Sequence, residues 1–244
     1  MIVLCAGGLD PSGGAGILAD ARAVADLGGR PMAVATAWTA QSSRGVAAWG
    51  ALPADAVRAQ VAALLHDFPV AIVKVGMVGS AEVAGALADL CVGRDVVLDP
   101  VLVASVGGPL AGGDVAAALR AWLPRVRLVT PNLDEAEALA GTRDAEAAAR
   151  ALVAMGARAA LVKGGETAVD VLCDRDSGRV ERIAAAPVAT DGPVHGTGCM
   201  LASAIATLLA RQTPLPEAVR LAKEYVAVRI AAAAPLGTGP LRYA

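Results

Sequence analysis

The chain is poor in aromatic residues. Three Trp, two Tyr and one Phe are spread over 244 residues, so any core must be built from Ala, Val, Leu and Ile, and apolar residues make up 56% of the chain. Lysine is scarcer still: Lys74, Lys163 and Lys223 stand against 18 arginines. Lysine offers a compact point charge that arginine does not, which makes each of the three a candidate for specific work. No basic run is present and the net charge is −2, so nucleic acid is excluded as a partner. Long apolar runs are missing too. Lys74 interrupts Ala71–Val78 and Arg229 interrupts Val226–Ala234, so no transmembrane helix is expected despite a mean hydropathy of +0.56. Four cysteines, Cys5, Cys91, Cys173 and Cys199, show neither CxxC spacing nor a histidine pattern, which excludes a zinc site or a disulfide framework. The N-terminal apolar run has no basic segment before it and reads as a first buried strand, so a reduced, cytoplasmic setting is expected.

What is present is a rhythm. Short apolar runs at Ile2–Ala6, Met32–Ala37, Ala71–Val75, Val96–Leu98, Leu128–Thr130 and Ala160–Val162 predict strands. Between them, Ile17–Leu27, Ala54–His66, Glu82–Cys91, Asp114–Leu123 and Ala145–Met155 have helical spacing. This is the βαβ alternation of a mostly parallel sheet covered by helices on both faces. Val169–Asp174 and Val180–Ala184 flank an Asp176-Ser177-Gly178 turn and predict an antiparallel hairpin at a sheet edge. Two long helices follow, Gly198–Arg211 and Pro216–Ala233, the first almost uncharged and therefore buried. No linker or repeat divides the chain, which predicts one domain over residues 1–244. Ligands of such folds collect at the carboxyl ends of the strands.

The unusual residues fall at those ends. Gly7–Gly16 is glycine-rich and leads into a helix, where backbone can approach an anion closely. Its Gly14-Ala15-Gly16-Ile17-Leu18-Ala19 fits G-x-G-x-x-A, but it lies too far from the strand for a dinucleotide fingerprint, and no Walker A sequence exists. A glycine-rich turn capped by Asp10 is the structural alternative. His195-Gly196-Thr197-Gly198-Cys199 opens the buried helix, so small residues expose backbone N–H groups there. A cysteine in that first turn is expected to favour its thiolate, unless it is simply packed. Asp99 and the Asn132/Glu135 pair each follow a strand, although Asn132 with Glu135 is also an ordinary helix cap. Lys163 ends a strand at Gly164-Gly165, and Lys74 lies inside an apolar strand, where its charge needs a buried partner.

Taken together, GLDPSGGAG (Gly8–Gly16), AQS (Ala40–Ser42), VKVGM (Val73–Met77), LDPV (Leu98–Val101), TPNxxE (Thr130–Glu135), VKGG (Val162–Gly165) and HGTGC (His195–Cys199) resemble the hydroxymethylpyrimidine/phosphomethylpyrimidine kinases of thiamine biosynthesis, within the ribokinase superfamily. The motifs are in order and span nearly the whole chain. The resemblance implies a three-layer α/β/α sandwich, a homodimer, Mg²⁺, and ATP as phosphoryl donor. The implied acceptors are 4-amino-5-hydroxymethyl-2-methylpyrimidine and then its monophosphate. It places Gly8, Asp20, Gln41, Met77 and Val101 around the pyrimidine, and Gly196, Thr197 and Gly198 as an anion hole. It makes Cys199 the proton acceptor and Asp99 and Glu135 the metal residues. Asn132, Lys163 and Thr190 fall to the nucleotide. A pyridoxal kinase of the same fold and a non-catalytic pyrimidine binder are the rival readings.

Three departures stand out. The family's NTHGTGC is replaced by Pro193-Val194-His195-Gly196-Thr197-Gly198-Cys199, without the Asn-Thr pair. The lysine of its VAKSG-like run is absent from Val103-Ala104-Ser105-Val106-Gly107. The segment after VKGG is short, which predicts a reduced flap. The first two losses predict weaker handling of the phosphorylated substrate, and the third a site more open to water.

Overall fold

The computed structural model describes residues 1–103, 113–165, 168–184 and 188–244. Strands β1 (Ile2–Leu9), β2 (Arg30–Ser42), β3 (Gly45–Ala51), β4 (Val70–Val75), β5 (Val96–Leu98), β6 (Leu128–Val129), β7 (Ala159–Val162), β8 (Val169–Asp174) and β9 (Arg179–Ala184) form one sheet in the order β3-β2-β1-β4-β5-β6-β7-β8-β9. The pairings from β2 through β7 are parallel, while β2–β3, β7–β8 and β8–β9 are antiparallel. The predicted edge hairpin is β8–β9. A second hairpin, β2–β3, closes the opposite edge; GVAAWGA does not predict it, because it lacks a β-branched alternation. The sheet extends β2 well past the predicted Ala37, out to Ser42.

Helices α1 (Gly16–Asp26), α2 (Ala54–Asp67), α3 (Ala81–Leu90), α4 (Gly113–Trp122), α5 (Leu133–Ala140), α6 (Ala145–Ala154), α7 (Thr197–Ala210) and α8 (Leu215–Ala231) cover both faces. Alternation along the strands divides the core in two. Leu4, Ala6, Val73 and Val75 pack with residues of α2 to α6, while Val3, Cys5 and Ile72 pack with α1, α7 and α8. This is the three-layer α/β/α arrangement. Helix α5, absent from the apolar pattern because it is short and acidic, is announced only by its Asn132/Glu135 cap. Helix α7 is buried from Met200 to Leu209, as its uncharged sequence predicts. Beyond α8, β10 (Ala234–Pro235) and β11 (Arg242–Tyr243) form a short antiparallel pair. No helix among the described residues is long and apolar enough to cross a membrane.

The alternation also disposes of Lys74. It points to the same face as Ile72, toward α1 and α7, and there it meets the carboxylate of Asp20 on α1.

Candidate active site

A cavity of about 880 Å³ opens at the carboxyl ends of β1, β4, β5, β6 and β7. It is continuous from Gly8, Asp20, Gln41, Met77 and Val101 at one end to Asn132, Glu135 and Lys163 at the other, with Gly196–Cys199 between them. Strands or their ends deliver Gly8, Gln41 and Lys163, helix α1 delivers Asp20, and helix starts deliver Asn132, Glu135 and Gly196–Cys199, at the sheet end where open α/β folds place ligands.

The floor at the Asp20 end is a closed charge pair. Lys74 Nζ donates to Asp20 Oδ1 at 2.7 Å, and Ser203 Oγ on α7 donates to the same oxygen at 2.8 Å. Both ionic side chains are essentially inaccessible, 1% and 0% exposed. Burial works against the Lys74 ammonium, but the Asp20 carboxylate beside it holds its pKa above the ordinary lysine value. At the cavity wall, His195 Nε2 lies 2.8 Å from Asp10 Oδ2, and the Gln41 amide stands against the same imidazole. Gly8 lies under Met77; a Cβ there would sit 2.8 Å from its sulfur.

The opposite end is built differently. Lys163 Nζ donates to Asp99 Oδ1 at 3.0 Å, and Thr130 Oγ1 donates to that oxygen at 3.3 Å. Burial would raise the Asp99 carboxyl, but Lys163 and Lys74 hold it below the usual carboxylate range. Glu135 is the counterpart: burial pushes its carboxyl up to about 7, Asp99 adding to the rise, with Lys163 opposing. Asn132 and Glu135 do form the helix cap that the sequence allows. Asn132 N–H donates to Glu135 Oε2, and Glu135 N–H donates to Asn132 Oδ1, each at 2.8 Å.

Between the two ends lies the start of α7. Gly196 has φ +77°, and a Cβ there would lie 2.0 Å from the Gly14 carbonyl oxygen, so no side chain can occupy the position. A Cβ on Gly14 would in turn lie 2.3 Å from the His195 ring. The two glycine-rich loops thus interlock, Gly196 on the Gly14–Ala15 backbone and Gly14 under the His195 ring. No side chain caps α7, which leaves its first N–H groups free for an anion. A Cβ on Gly198 would come within 3.2 Å of Lys163 Nζ, so the glycine lets the ammonium and the helix start share one ligand.

A model of the phosphomethylpyrimidine kinase family matches residues 10–243 of this chain. The chain belongs to that family. It is 44% identical to a hydroxymethylpyrimidine/phosphomethylpyrimidine kinase of Streptomyces coelicolor, with 98% of this chain and 91% of the relative covered. Among solved structures it is similar to phosphomethylpyrimidine kinase from Clostridium difficile 630, at 31% identity and TM-score 0.80, covering 93% of this chain and 97% of that one. It is also similar to the pyridoxal kinase of Staphylococcus aureus in complex with AMP-PCP, at 26% identity and TM-score 0.88, covering 99% and 92%. The chain is therefore a ribokinase-like kinase, as its motifs imply.

Within this kinase the expected residues converge, with two corrections. Thr190 does not reach the cavity lining: it is exposed before α7 with its hydroxyl donating to the Gly192 carbonyl at 2.9 Å. Cys199 faces the cavity, but not as a low-pKa thiolate. Burial, with Asp20 and Asp99 nearby, pushes its thiol up to about 12, against the opposing Lys74 charge and the Gly16 N–H donated to it. Burial, helped by those two carboxylates from other elements, outweighs the helix start. The departure at Val103–Gly107 falls mostly on residues 104–107, outside the described residues, as do 166 and 167 in the segment after VKGG. The lost Asn-Thr pair is Pro193-Val194, and that stretch pairs with β11: Arg242 N–H donates to Pro193 O at 3.0 Å, and Val194 bridges Arg242.

Three residues named in the sequence take partners that the sequence does not assign. Asp10 and His195 join across the two glycine loops, and no local pattern signals such a pairing. Lys223 on α8 forms an ion pair with Asp170, whose Oδ1 accepts from Gly164 N–H at 3.0 Å behind the VKGG turn. The signal for it is the scarcity of lysine: all three lysines end on an aspartate at this site.

The donor set fits magnesium. Among the described residues no group of three or more His, Cys, Asp or Glu could hold a metal alone. Asp99 and Glu135 supply two carboxylates, which is what Mg²⁺ takes when phosphates and water complete its shell.

Proposed function

We propose that this kinase transfers the γ-phosphoryl group of ATP to the hydroxymethyl oxygen of 4-amino-5-hydroxymethyl-2-methylpyrimidine, and then phosphorylates the resulting monophosphate to the diphosphate. The observation that carries this is the single cavity joining the Gly8, Asp20, Gln41, Met77 and Val101 pocket to Lys163 and the Gly196–Cys199 turn. In each transfer an O–P bond forms at the acceptor, the Pγ–O bond to ADP breaks, and the acceptor proton leaves. Asn132 and Lys163 hold the nucleotide phosphates. The N–H groups at Gly196, Thr197 and Gly198 take the charge that spreads over the transferred group. Asp99 and Glu135 would hold Mg²⁺, which neutralises phosphate charge when bound. Cys199 accepts the hydroxyl proton. Neutralising Asp99 removes one of the charges that raise its pKa, while burial, the largest cause, and Asp20 remain against the favourable Lys74 charge.

Steady-state transfer from MgATP to the pyrimidine alcohol, its monophosphate and pyridoxal tests the reading. Turnover of both pyrimidines is expected, the monophosphate less efficiently because the Asn-Thr pair is missing. Cys199→Ala is expected to lower kcat about 10²–10⁴-fold with little change in KM, and Cys199→Asp to recover part of it. A folded Cys199→Ala enzyme with near-normal kcat removes the base assignment. Pyridoxal is the second reading, favoured by the close superposition on a pyridoxal kinase. A non-catalytic binder is disfavoured by the presence of Lys163, Asp99, Glu135 and Cys199 in one cavity. The same reading includes a cytoplasmic homodimer. Leu9 and Trp38, neighbours across β1–β2, are 37% and 46% exposed and supply an apolar face, which light scattering of a Trp38→Arg variant would probe.

A further inference from the structure

After α8 the chain returns to the cavity and bonds to three of the loops around it. At the turn of the β2–β3 hairpin, Gly239 N–H donates to Ser43 Oγ at 3.1 Å and Leu241 N–H to Ser43 O at 3.2 Å. A Cβ on Gly239 would lie 2.1 Å from that carbonyl oxygen, so only glycine allows the approach. Ahead of α7, Arg242 N–H donates to Pro193 O at 3.0 Å, and Arg242 O accepts from His195 N–H at 2.9 Å. Pro193 and Val194 carry no side chain that can hydrogen-bond, so these main-chain bonds align the chain as it enters α7. At the glycine-rich loop after β1, Arg22 on α1 donates to Gly13 O at 3.1 Å and to Ala244 O at 2.6 Å. Tyr243 joins the last two loops. Its ring meets the His195 ring edge to face, with centroids 5.8 Å apart and planes at 82°. Both rings close on Gly14: a Cβ there would lie 2.3 Å from His195 Cδ2 and 2.8 Å from Tyr243 Cε1. Gly14 O is in turn the atom against which Gly196 is packed. A continuous packed path therefore runs from Tyr243 to the first N–H groups of α7.

We propose that Tyr243 is a positioning residue for phosphoryl transfer: its ring braces His195 against Gly14, so that the N–H groups of Gly196, Thr197 and Gly198 keep their aim on the transferred group. This rests on the reading of those N–H groups as the anion hole. Tyr243 lies outside the cavity lining, so it acts on the reaction only through the turn. Donors aimed at developing charge are worth most when held in place beforehand, and a misplacement of about 1 Å by a distant change costs up to about 10²-fold in rate.

The test measures kcat, both KM values and the affinity for MgADP with and without aluminium fluoride, the pyrimidine alcohol being present, in the unaltered enzyme, Tyr243→Ala and Tyr243→Phe. Tyr243→Ala is expected to lower kcat at least about tenfold, with each KM within about twofold of normal. It should weaken the MgADP–aluminium fluoride complex, a mimic of the transferred group, by the same factor and leave MgADP alone bound as before. Tyr243→Phe keeps the ring and is expected to restore kcat to within about twofold. A folded Tyr243→Ala enzyme with normal kcat and normal aluminium fluoride affinity overturns the proposal, whatever its melting temperature. A loss carried by KM, or one that Tyr243→Phe shares in full, overturns it too. The amide protons of Gly196, Thr197 and Gly198 in the unaltered enzyme separate this from the reading beneath it. They are expected to shift when aluminium fluoride joins MgADP, and if they do not, the anion-hole assignment itself falls. A second measurement on the unaltered enzyme guards against a Tyr243→Ala protein that does not fold. Without ligand, the His195 amide proton held by Arg242 O is expected to exchange slowly with solvent. Rapid exchange there shows a loose turn and overturns the proposal.

Discussion

Two lysine–aspartate pairs floor the same cavity, and they differ in one respect. Lys74 and Asp20 are sealed, 1% and 0% exposed, whereas Lys163 is 17% exposed over an Asp99 that is 2% exposed. A sealed pair cannot exchange partners without leaving a bare charge in the protein interior. A pair open on its cationic side can hand its lysine to an incoming phosphate. The first is a fixture that holds a carboxylate in place; the second is a contact made to be shared.

Breaking the sealed pair should have the largest effect. Lys74→Met strands Asp20 and is expected to cost about 3–5 kcal/mol of folding stability, measured by urea denaturation. Lys74→Met/Asp20→Asn should recover at least half of that loss but not the KM for the pyrimidine, and recovery of both would mean that Asp20 serves the fold alone. Breaking the open pair should cost less stability, because Asp99 keeps Thr130 and Lys74 nearby. Lys163→Ala is expected to lower kcat about 10²–10³-fold, the usual worth of one preorganised donor at developing charge. A melting temperature that falls as far as that of Lys74→Met would erase the distinction between the pairs. The third pair, Lys223 with Asp170, acts at one remove through Gly164. Lys223→Gln should raise KM for MgATP about tenfold, since loss of a positioning contact to the turn is worth roughly 1.4 kcal/mol. An unchanged KM would make that pair purely structural.

The remaining effect concerns the thiol over the sealed pair. With its pKa pushed up to about 12 from 9.0, the ligand-free Cys199 has about 10³-fold less thiolate at pH 7 than an ordinary cysteine. Higher intrinsic nucleophilicity offsets about half of that on a logarithmic scale, so alkylation should be about 30- to 100-fold slow. Because the raised pKa favours the neutral thiol, the rate should climb tenfold per pH unit without levelling below pH 9. A plateau near pH 7 would reveal a thiolate and show that burial, with Asp20 and Asp99, does not hold the proton on the sulfur.

The same contrast marks what the sequence could reveal. Asp99, Glu135, Lys163 and Gly196–Cys199 are legible because each directly follows a strand or opens a helix, so its place in the fold fixes its place in the site. The layered α/β order is legible for the same reason, since apolar period tracks the element. Partners are another matter. Lys74 declares a need for a carboxylate but not which one, and Asp10 gives no sign of His195, because tertiary packing alone joins them. Strand β3 hides in a Gly/Ala sequence whose pairing is imposed by β2. The raised thiol of Cys199 depends first on its burial in the packed core and then on charges contributed by α1 and the end of β5, none of which a window around the cysteine contains.

The interlock of Gly14 with Gly196 reaches beyond catalysis. Each glycine is held without a side chain by the other's loop, so a substitution at either one has no single compensating change available. A library that randomises one of these positions alone should return glycine and little else. Drift toward new substrates is therefore channelled to cavity positions outside that interlock, such as Val101.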